Sequence, residues 1–214
     1  MSFNVNNFRA EGLKHDGARP SQFEILVNFP NLIGDGPAVG SRLRMLAHSA
    51  SLPPSDLGYI EVPYFGRTIK VEGTLSFPAW RIQVYNDEDF QIKAAFEAWI
   101  NGMNAHVSNR KNPAFAGMGY KAAATVYQLS KELEGNGIEN AIRAYTFSGL
   151  FPTSIGEIRL DWSDNRAIEV FDVVFEYDYW VPGADENQIA SNNKYNGIDG
   201  SATAWNPKLP TDNQ

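Results

Sequence analysis

Between Ser148 and Trp180 the chain reads SGLFPTSIGEIRLDWSDNRAIEVFDVVFEYDYW, and its spacing leaves little choice but β-structure. In Glu157 to Trp162 the apolar Ile158, Leu160 and Trp162 alternate with Glu157, Arg159 and Asp161, the period of two that marks a half-buried strand. Ser163, Asp164 and Asn165 follow as turn residues, because short polar side chains bond their own backbone. From Phe171 to Tyr179 the odd positions Phe171, Val173, Phe175, Tyr177 and Tyr179 are apolar or aromatic, while Asp172, Glu176 and Asp178 point the other way. Ile168 and Val170 fall in the opposite phase, which predicts a bulge or a stretch buried on both faces near Val170. The expectation is a hairpin with one face on a core and one face polar.

Other stretches repeat this pattern. Gln22 to Phe29 predicts a strand with Phe23, Ile25, Val27 and Phe29 inward. The glycines Gly34, Gly36 and Gly40 after it invite comparison with a phosphate-cradling turn, but the spacing is too long and Pro37 removes an amide. With no helical pattern evident behind them, Asn31 to Gly40 reads as a hairpin loop and Arg42 to Ala50 as a short strand. Pro53 and Pro54 break that strand. Tyr59 to Phe77 predicts a long hairpin turning at Phe65-Gly66-Arg67, whose return strand places Ile69, Val71, Leu75 and Phe77 on one buried face and Lys70, Glu72 and Ser76 opposite. Trp80, Ile82 and Val84 make a further strand.

At Asn86 the period lengthens. Asn86 is placed to cap a helix, Asp87-Glu88-Asp89 suit the positive end of its dipole, and Ile92, Phe96, Trp99, Ile100 and Met103 recur at helical spacing up to Gly102. Asn104 to Gly119 reads as a loop carrying Arg110 and Lys111. Ala122 to Ser130 and Ala141 to Ser148 then predict a second hairpin across Gly135-Asn136-Gly137. The ends are polar, so residues 1–19 read as an N-terminal arm, 20–180 as a β domain, and 181–214 as an extension that is disordered or wraps a neighbour.

The fold class that follows is mainly β: an antiparallel sandwich or barrel with one packed α-helix and long hairpins. Hairpins with bare edges invite aggregation unless another chain pairs with them, which argues for assembly. The chain offers few parts for chemistry. It has no cysteine, and its three histidines, His15, His48 and His106, lack metal-ligand spacing. Asp161 to Asn165 lacks the glycine and distal glutamate of a calcium loop. No nucleophile elbow or phosphate-binding loop is present, so neither an enzyme nor a cofactor or metal site is expected. A net charge of −7 disfavours a grip on nucleic acid through phosphate neutralisation. No apolar run reaches the roughly 20 residues that span a bilayer, and the N-terminus lacks a signal-peptide pattern, so no membrane partner is expected.

Gly149-Leu150-Phe151-Pro152-Thr153-Ser154-Ile155-Gly156-Glu157, then Leu160-Asp161-Trp162, then Asp178-Tyr179-Trp180 together resemble the tail tube proteins of T4-type contractile-tailed bacteriophages. Gly58-Tyr59-Ile60-Glu61-Val62-Pro63, Ile69-Lys70-Val71 and Asn86-Asp87-Glu88 support the resemblance, which covers about Pro20 to Trp180. It implies a structural virion protein: hexameric rings whose hairpins join one ring-wide β-barrel, stacked into the inner tail tube through which double-stranded DNA is ejected. The implied partners are further copies of itself, the tail sheath protein, and the baseplate and tail terminator proteins. The implied place is the tail of the virion, assembled in the host cytoplasm. Hairpin alternation within such a ring nominates Glu61, Lys70, Glu72, Asp172, Glu176 and Asp178 as lumen-facing. Two alternatives remain: a type VI secretion-like or other injection tube carrying effectors, and a monomeric binding module. The chain departs from the T4-type pattern at Asn31 to Gly40, in the loop after the helix, and after Trp180.

Overall fold

Seven strands form one sheet in the order β1-β6-β7-β8-β5-β2, with β9 beside β7, and a separate two-stranded ribbon is made by β3 and β4. In chain order the elements are β1 (Phe23–Val27), α1 (Gly36–Leu46), β2 (Ala47–Ala50), β3 (Asp56–Tyr64), β4 (Arg67–Ser76), β5 (Trp80–Tyr85), α2 (Gln91–Met103), a 3-10 turn at Pro113–Phe115, β6 (Ala122–Leu129), β7 (Ala141–Ile155), β8 (Val170–Glu176) and β9 (Tyr179–Pro182). The structure is a computed structural model that describes residues 17–30, 33, 36–131, 141–163 and 166–183. Most of the expected arm, nearly all of the expected C-terminal extension and the turn Gly135-Asn136-Gly137 lie outside the described residues, as does His15.

Two compact units divide the chain, one of Glu24–Val126 with Tyr145–Val181, the other of Met1–Phe23, Tyr127–Ala144 and Pro182–Gln214. The first holds the aromatic core. Trp80 stacks on Phe147 with ring centroids 4.5 Å apart and leans on Phe175 at 5.4 Å. Phe175 meets Phe96 edge-on at 5.7 Å, and Phe96 passes the contact to Phe29 at 5.1 Å. In the second unit, the Gln128 side-chain amide donates to the carbonyls of Arg19 and Gln22, and the Gly183 N–H donates to the Ala144 carbonyl.

Alternation in β8 does what its period demands. Phe171, Val173 and Phe175 are buried and Asp172 and Glu176 exposed, with Tyr177 also buried just past the strand end. On one side β8 pairs antiparallel with β5, on the other with β7. The β7 register shifts between Pro152 and Ser154, which leaves Thr153 as an extra residue beside a proline that lacks a ladder donor.

That pairing overturns the hairpin expected from Glu157 to Tyr179. Both edges of β8 are already taken by Trp80–Tyr85 and by Phe151 to Ile155, so Glu157 to Trp162 has no ladder to join and is not a strand. The phase change near Val170 is neither a bulge nor double burial, because β8 simply starts there and Ile168 stands outside it, exposed.

The expected hairpin loop at Asn31 to Gly40 and the strand from Arg42 are also corrected, since Gly36–Leu46 is an α-helix and only Ala47–Ala50 is a strand. Pro37 sits in the first turn, where no backbone hydrogen bond is lost. Val39 and Leu43, four apart, are its buried stripe, and Gly40 lets the helix lie against β1: a Cβ there would stand 2.8 Å from the Val27 carbonyl oxygen. Among the described residues two α-helices are thus present where one was expected. In α2 the buried Ile92, Ala95, Phe96 and Trp99 follow the expected spacing. Its start differs, however: Phe90, in the left-handed region at φ 53°, occupies the cap position and makes no side-chain cap bond. Asn86 instead donates through its side-chain amide to Glu169 at 2.8 Å. Asp87 and Asp89, ahead of the helix, pair with the Arg42 guanidinium of α1 at 3.0 and 3.4 Å.

Candidate assembly surface

The ribbon of β3 and β4 is written as a half-buried hairpin and is bare. Every residue of β3 and all of β4 except Gly73 are exposed. Cross-strand partners share a face and neighbours alternate, so the register sorts the side chains. Ile60 pairs with Val71, Val62 with Ile69 and Tyr64 with Arg67, which makes one face of the shaft apolar up to Arg67. Tyr59 pairs with Glu72 and Glu61 with Lys70 on the opposite, polar face. There the Lys70 ammonium lies 4.3 Å above the Tyr59 ring and 3.9 Å from the Glu61 carboxylate.

A bulge interrupts this order near the root. Between the Tyr59–Glu72 and Leu57–Leu75 pairs, β3 advances two residues and β4 three. The extra residue lies at Gly73-Thr74, where the strands close up: a Cβ on Gly73 would stand 2.8 Å from the Gly58 carbonyl carbon. Leu57 and Leu75 therefore fall on the face of Tyr59 and Glu61, opposite Ile69 and Val71. The single buried face expected for Ile69, Val71, Leu75 and Phe77 is corrected on two counts: the described residues leave Ile69, Val71 and Leu75 exposed while Phe77 is half-buried beside Tyr177, and the bulge splits the face.

At the tip, Phe65 and Gly66 have φ of 42° and 77°. Positive φ at both central residues is the primed hairpin turn, usually filled by Asn-Gly. A non-glycine residue in this region costs about 1–2 kcal/mol. Phe65 is nonetheless 92% exposed, with only Tyr64 edge-on to it at 4.7 Å.

The other nominated residues divide. Asp172 and Glu176 share the outer face of β8, where Asp172 lies across from Gln83 and one step from Arg81 of β5, and Ser49 of β2 donates to Gln83 at 2.8 Å. Glu61, Lys70 and Glu72 share the polar ribbon face. Asp178 stands apart, beyond the end of β8, with the Lys121 ammonium 2.7 Å from both of its carboxylate oxygens. Sequence reasoning missed that pair, as it missed Phe65; the one signal for the second was an aromatic where a primed turn favours asparagine.

After β7, Leu160 is largely and Trp162 fully exposed. Between them Asp161 accepts from the Ser163 hydroxyl at 2.6 Å and its N–H at 2.9 Å, which holds the Asp161 carboxyl below its usual range. His48 packs on Tyr85 at 4.6 Å and His106 lies in the loop after α2. Among the described residues no three His, Asp or Glu side chains gather at metal-binding geometry, and no helix is long and apolar enough to cross a membrane. What is laid out is an exposed apolar ribbon beside a polar one-sided sheet face.

Known proteins resemble this chain in sequence and in fold. The tail tube protein gp19 of Enterobacteria phage T4 is 28% identical over 168 residues, covering 77% of this chain and 91% of that protein. The tail tube protein of Serratia phage KSP90 is 27% identical over 160 residues, covering 74% and 85%. Among solved structures, the sheath-tube complex of the extracellular contractile injection system PVC in its extended state superposes with a TM-score of 0.52 at 17% identity, covering 86% of this chain and all of the other. A chain of the anti-feeding prophage baseplate superposes at 0.56 with 12% identity, covering 78% and 95%. These likenesses bear out the mainly β tube fold. The family described as phage tail tube protein matches residues 18–183, and the chain belongs to it, as a T4-like structural component of the bacteriophage tail.

Proposed function

We propose that this protein closes into hexameric rings that stack as the inner tube of a contractile tail and conduct double-stranded DNA. The observation that carries the reading is the ribbon, nine of whose large apolar residues, Leu57 through Leu75, are 43–92% exposed. At roughly 150–250 Å² for an aromatic side chain and somewhat less for an aliphatic one, they offer on the order of 900 Å² of apolar surface. This surface is shared between the two faces and the tip of the ribbon, and in total it is comparable with the about 800 Å² per partner that a standard interface buries. A second deficit lies in the sheet, whose outer strands β1 and β2 each pair with one neighbour among the described strands. Joining such edges around a ring completes both ladders and gives one continuous barrel.

In that ring the apolar ribbon face is buried and the polar faces are left for the bore. Glu61, Lys70 and Glu72 on the ribbon and Asp172 and Glu176 on β8 are the lumen candidates; Lys70 offsets Glu61, so the repulsion of phosphate rests on Glu72, Asp172 and Glu176. Asp178, neutralised by Lys121, contributes little to the field. Repeated sixfold, a net charge of −7 per chain lets DNA slide without sticking. Residues 20–180 form the tube domain, and 1–19 and 181–214 are flanks available to sheath, baseplate and terminator proteins. Assembly takes place in the host cytoplasm, and the product resides in the virion.

Light scattering of the purified chain mixed with its phage's baseplates tests this. Growth of scattering only when baseplates are present, or at high protein concentration alone, supports the tube; a scattering signal that stays monomeric in both contradicts it. The likeness to injection-system tubes keeps a second reading alive, a conduit for effectors. Particles whose tails join DNA-filled capsids exclude it.

A further inference from the structure

The apolar surface of the ribbon changes sides along its length. On the shaft, Ile60, Val62, Tyr64, Ile69 and Val71 share one face. At the root, beyond the extra residue at Gly73-Thr74, Leu57 and Leu75 lie opposite each other on the other face, 62% and 49% exposed. One rigid surface cannot cover both faces of a two-stranded ribbon. We infer that the two patches are covered by two different copies of this chain, so that each ribbon is a bivalent link and the Gly73-Thr74 bulge is the device that assigns one contact to each copy.

This inference rests on the tube reading above, and the exposed areas fit it. A standard interface takes about 800 Å² per partner, whereas the shaft face alone, with five large residues, offers roughly half of that. Neither patch reaches that area by itself, so each is one part of a larger contact between copies. Two unlike contacts made head-to-tail by one element generate a closed ring in one direction and an open stack in the other, whereas a single two-fold contact ends at a dimer. The bulge also explains the close approach of Gly58 and Gly73. Removing the extra residue would return Leu75 to the side of Val71 and present one continuous apolar face to one copy.

The test uses the full-length chain assembled into tubes, with a photo-reactive benzoylphenylalanine placed at Val62 on the shaft face, at Leu57 on the root face, or at both. Crosslinked peptides are identified by mass spectrometry. In tubes where labelled chains are a dilute minority among wild-type copies, the expected result is that Val62 and Leu57 link to non-overlapping segments of other copies, and that the doubly labelled chain yields three-chain species where each single label stops at two. Both positions linking to one shared segment, or to their own chain, would overturn the inference while leaving the tube intact. A second variant, with Thr74 deleted, is expected to lose the three-chain species; retention of it also overturns the inference. Wild-type chain that stays monomeric by light scattering with and without baseplates removes the tube reading and this inference with it.

Discussion

The Lys121 ammonium grips Asp178 through both carboxylate oxygens at 2.7 Å, and the same carboxylate rests where Gly149 has no side chain. Gly149 has φ of 69°, and a Cβ there would stand 2.1 Å from an Asp178 oxygen. Gly149→Ala thus combines a collision with the cost of positive φ, and the expected loss is about 2–3 kcal/mol. In an Asp178→Ala background the carboxylate is gone and the Cβ at that position stands 3.2 Å away, so the added cost of Gly149→Ala falls to about 1–2 kcal/mol. Urea denaturation of the four chains of this cycle measures the difference.

Polar substitution on the apolar ribbon face separates assembly from folding. Val62→Ser and Ile69→Ser alter side chains already 43% and 49% exposed, so the melting temperature of the monomer stays within about 2 °C, matching a surface change within ±0.5 kcal/mol. Tube growth followed by light scattering is expected to fall at least tenfold in rate, because each copy loses about 1–2 kcal/mol of buried contact.

Two tryptophans make an internal control. Trp80 is buried against Phe147 and Phe175, and Trp80→Ala is expected to cost about 3–5 kcal/mol. Trp162 is fully exposed, and Trp162→Ser leaves folding unchanged by thermal melting.

Tyr177 gives the fold an alkaline limit. Burial raises its phenol above the ordinary 10.0, and the Glu176 charge beside it adds to the rise. The folded chain therefore holds the proton more tightly than the unfolded chain, so this contribution is complete below pH 10 and is lost as pH climbs through the raised value. The Tyr177 hydroxyl is buried and has no hydrogen-bond partner among the described residues, so Phe is accommodated there. Tyr177→Phe is expected to equal or exceed the parent in stability at pH 8 and to lose less between pH 9 and 11, as read by denaturant midpoints.

Much of the β-structure was legible because burial and alternation coincide in it: β5 and β8 bury the residues their spacing nominates. Helix α1 was hidden by its own solutions. Gly36, Pro37 and Gly40 look like loop residues, yet the proline sits where the first turn tolerates it and Gly40 serves a close helix-strand contact. Val39 and Leu43 were the available helical signal. Glu157 to Trp162 misled in the reverse direction, since alternation gives a strand only where a neighbour has a free edge. The ribbon was legible as a hairpin, and its alternation stated correctly that a face wants cover. That the described residues leave this face exposed, and that one extra residue divides it, required the structure.

Charge reversal probes the bore. Asp172→Lys with Glu176→Lys changes exposed side chains on β8, so tubes are expected to form while DNA ejection slows severalfold in a single-particle ejection assay. Ejection at the parental rate from such tubes would remove these two residues from the lumen.

The central claim is that bare ribbons and sheet edges are completed by sister chains around an axial hole. Negative-stain microscopy of purified protein grown on baseplates, with end-on views averaged without imposed symmetry, tests it most directly. Hollow cylinders are expected, with six subunits around a stain-filled bore in the end-on averages. Solid filaments, or isolated subunits alone on capable baseplates, would contradict it.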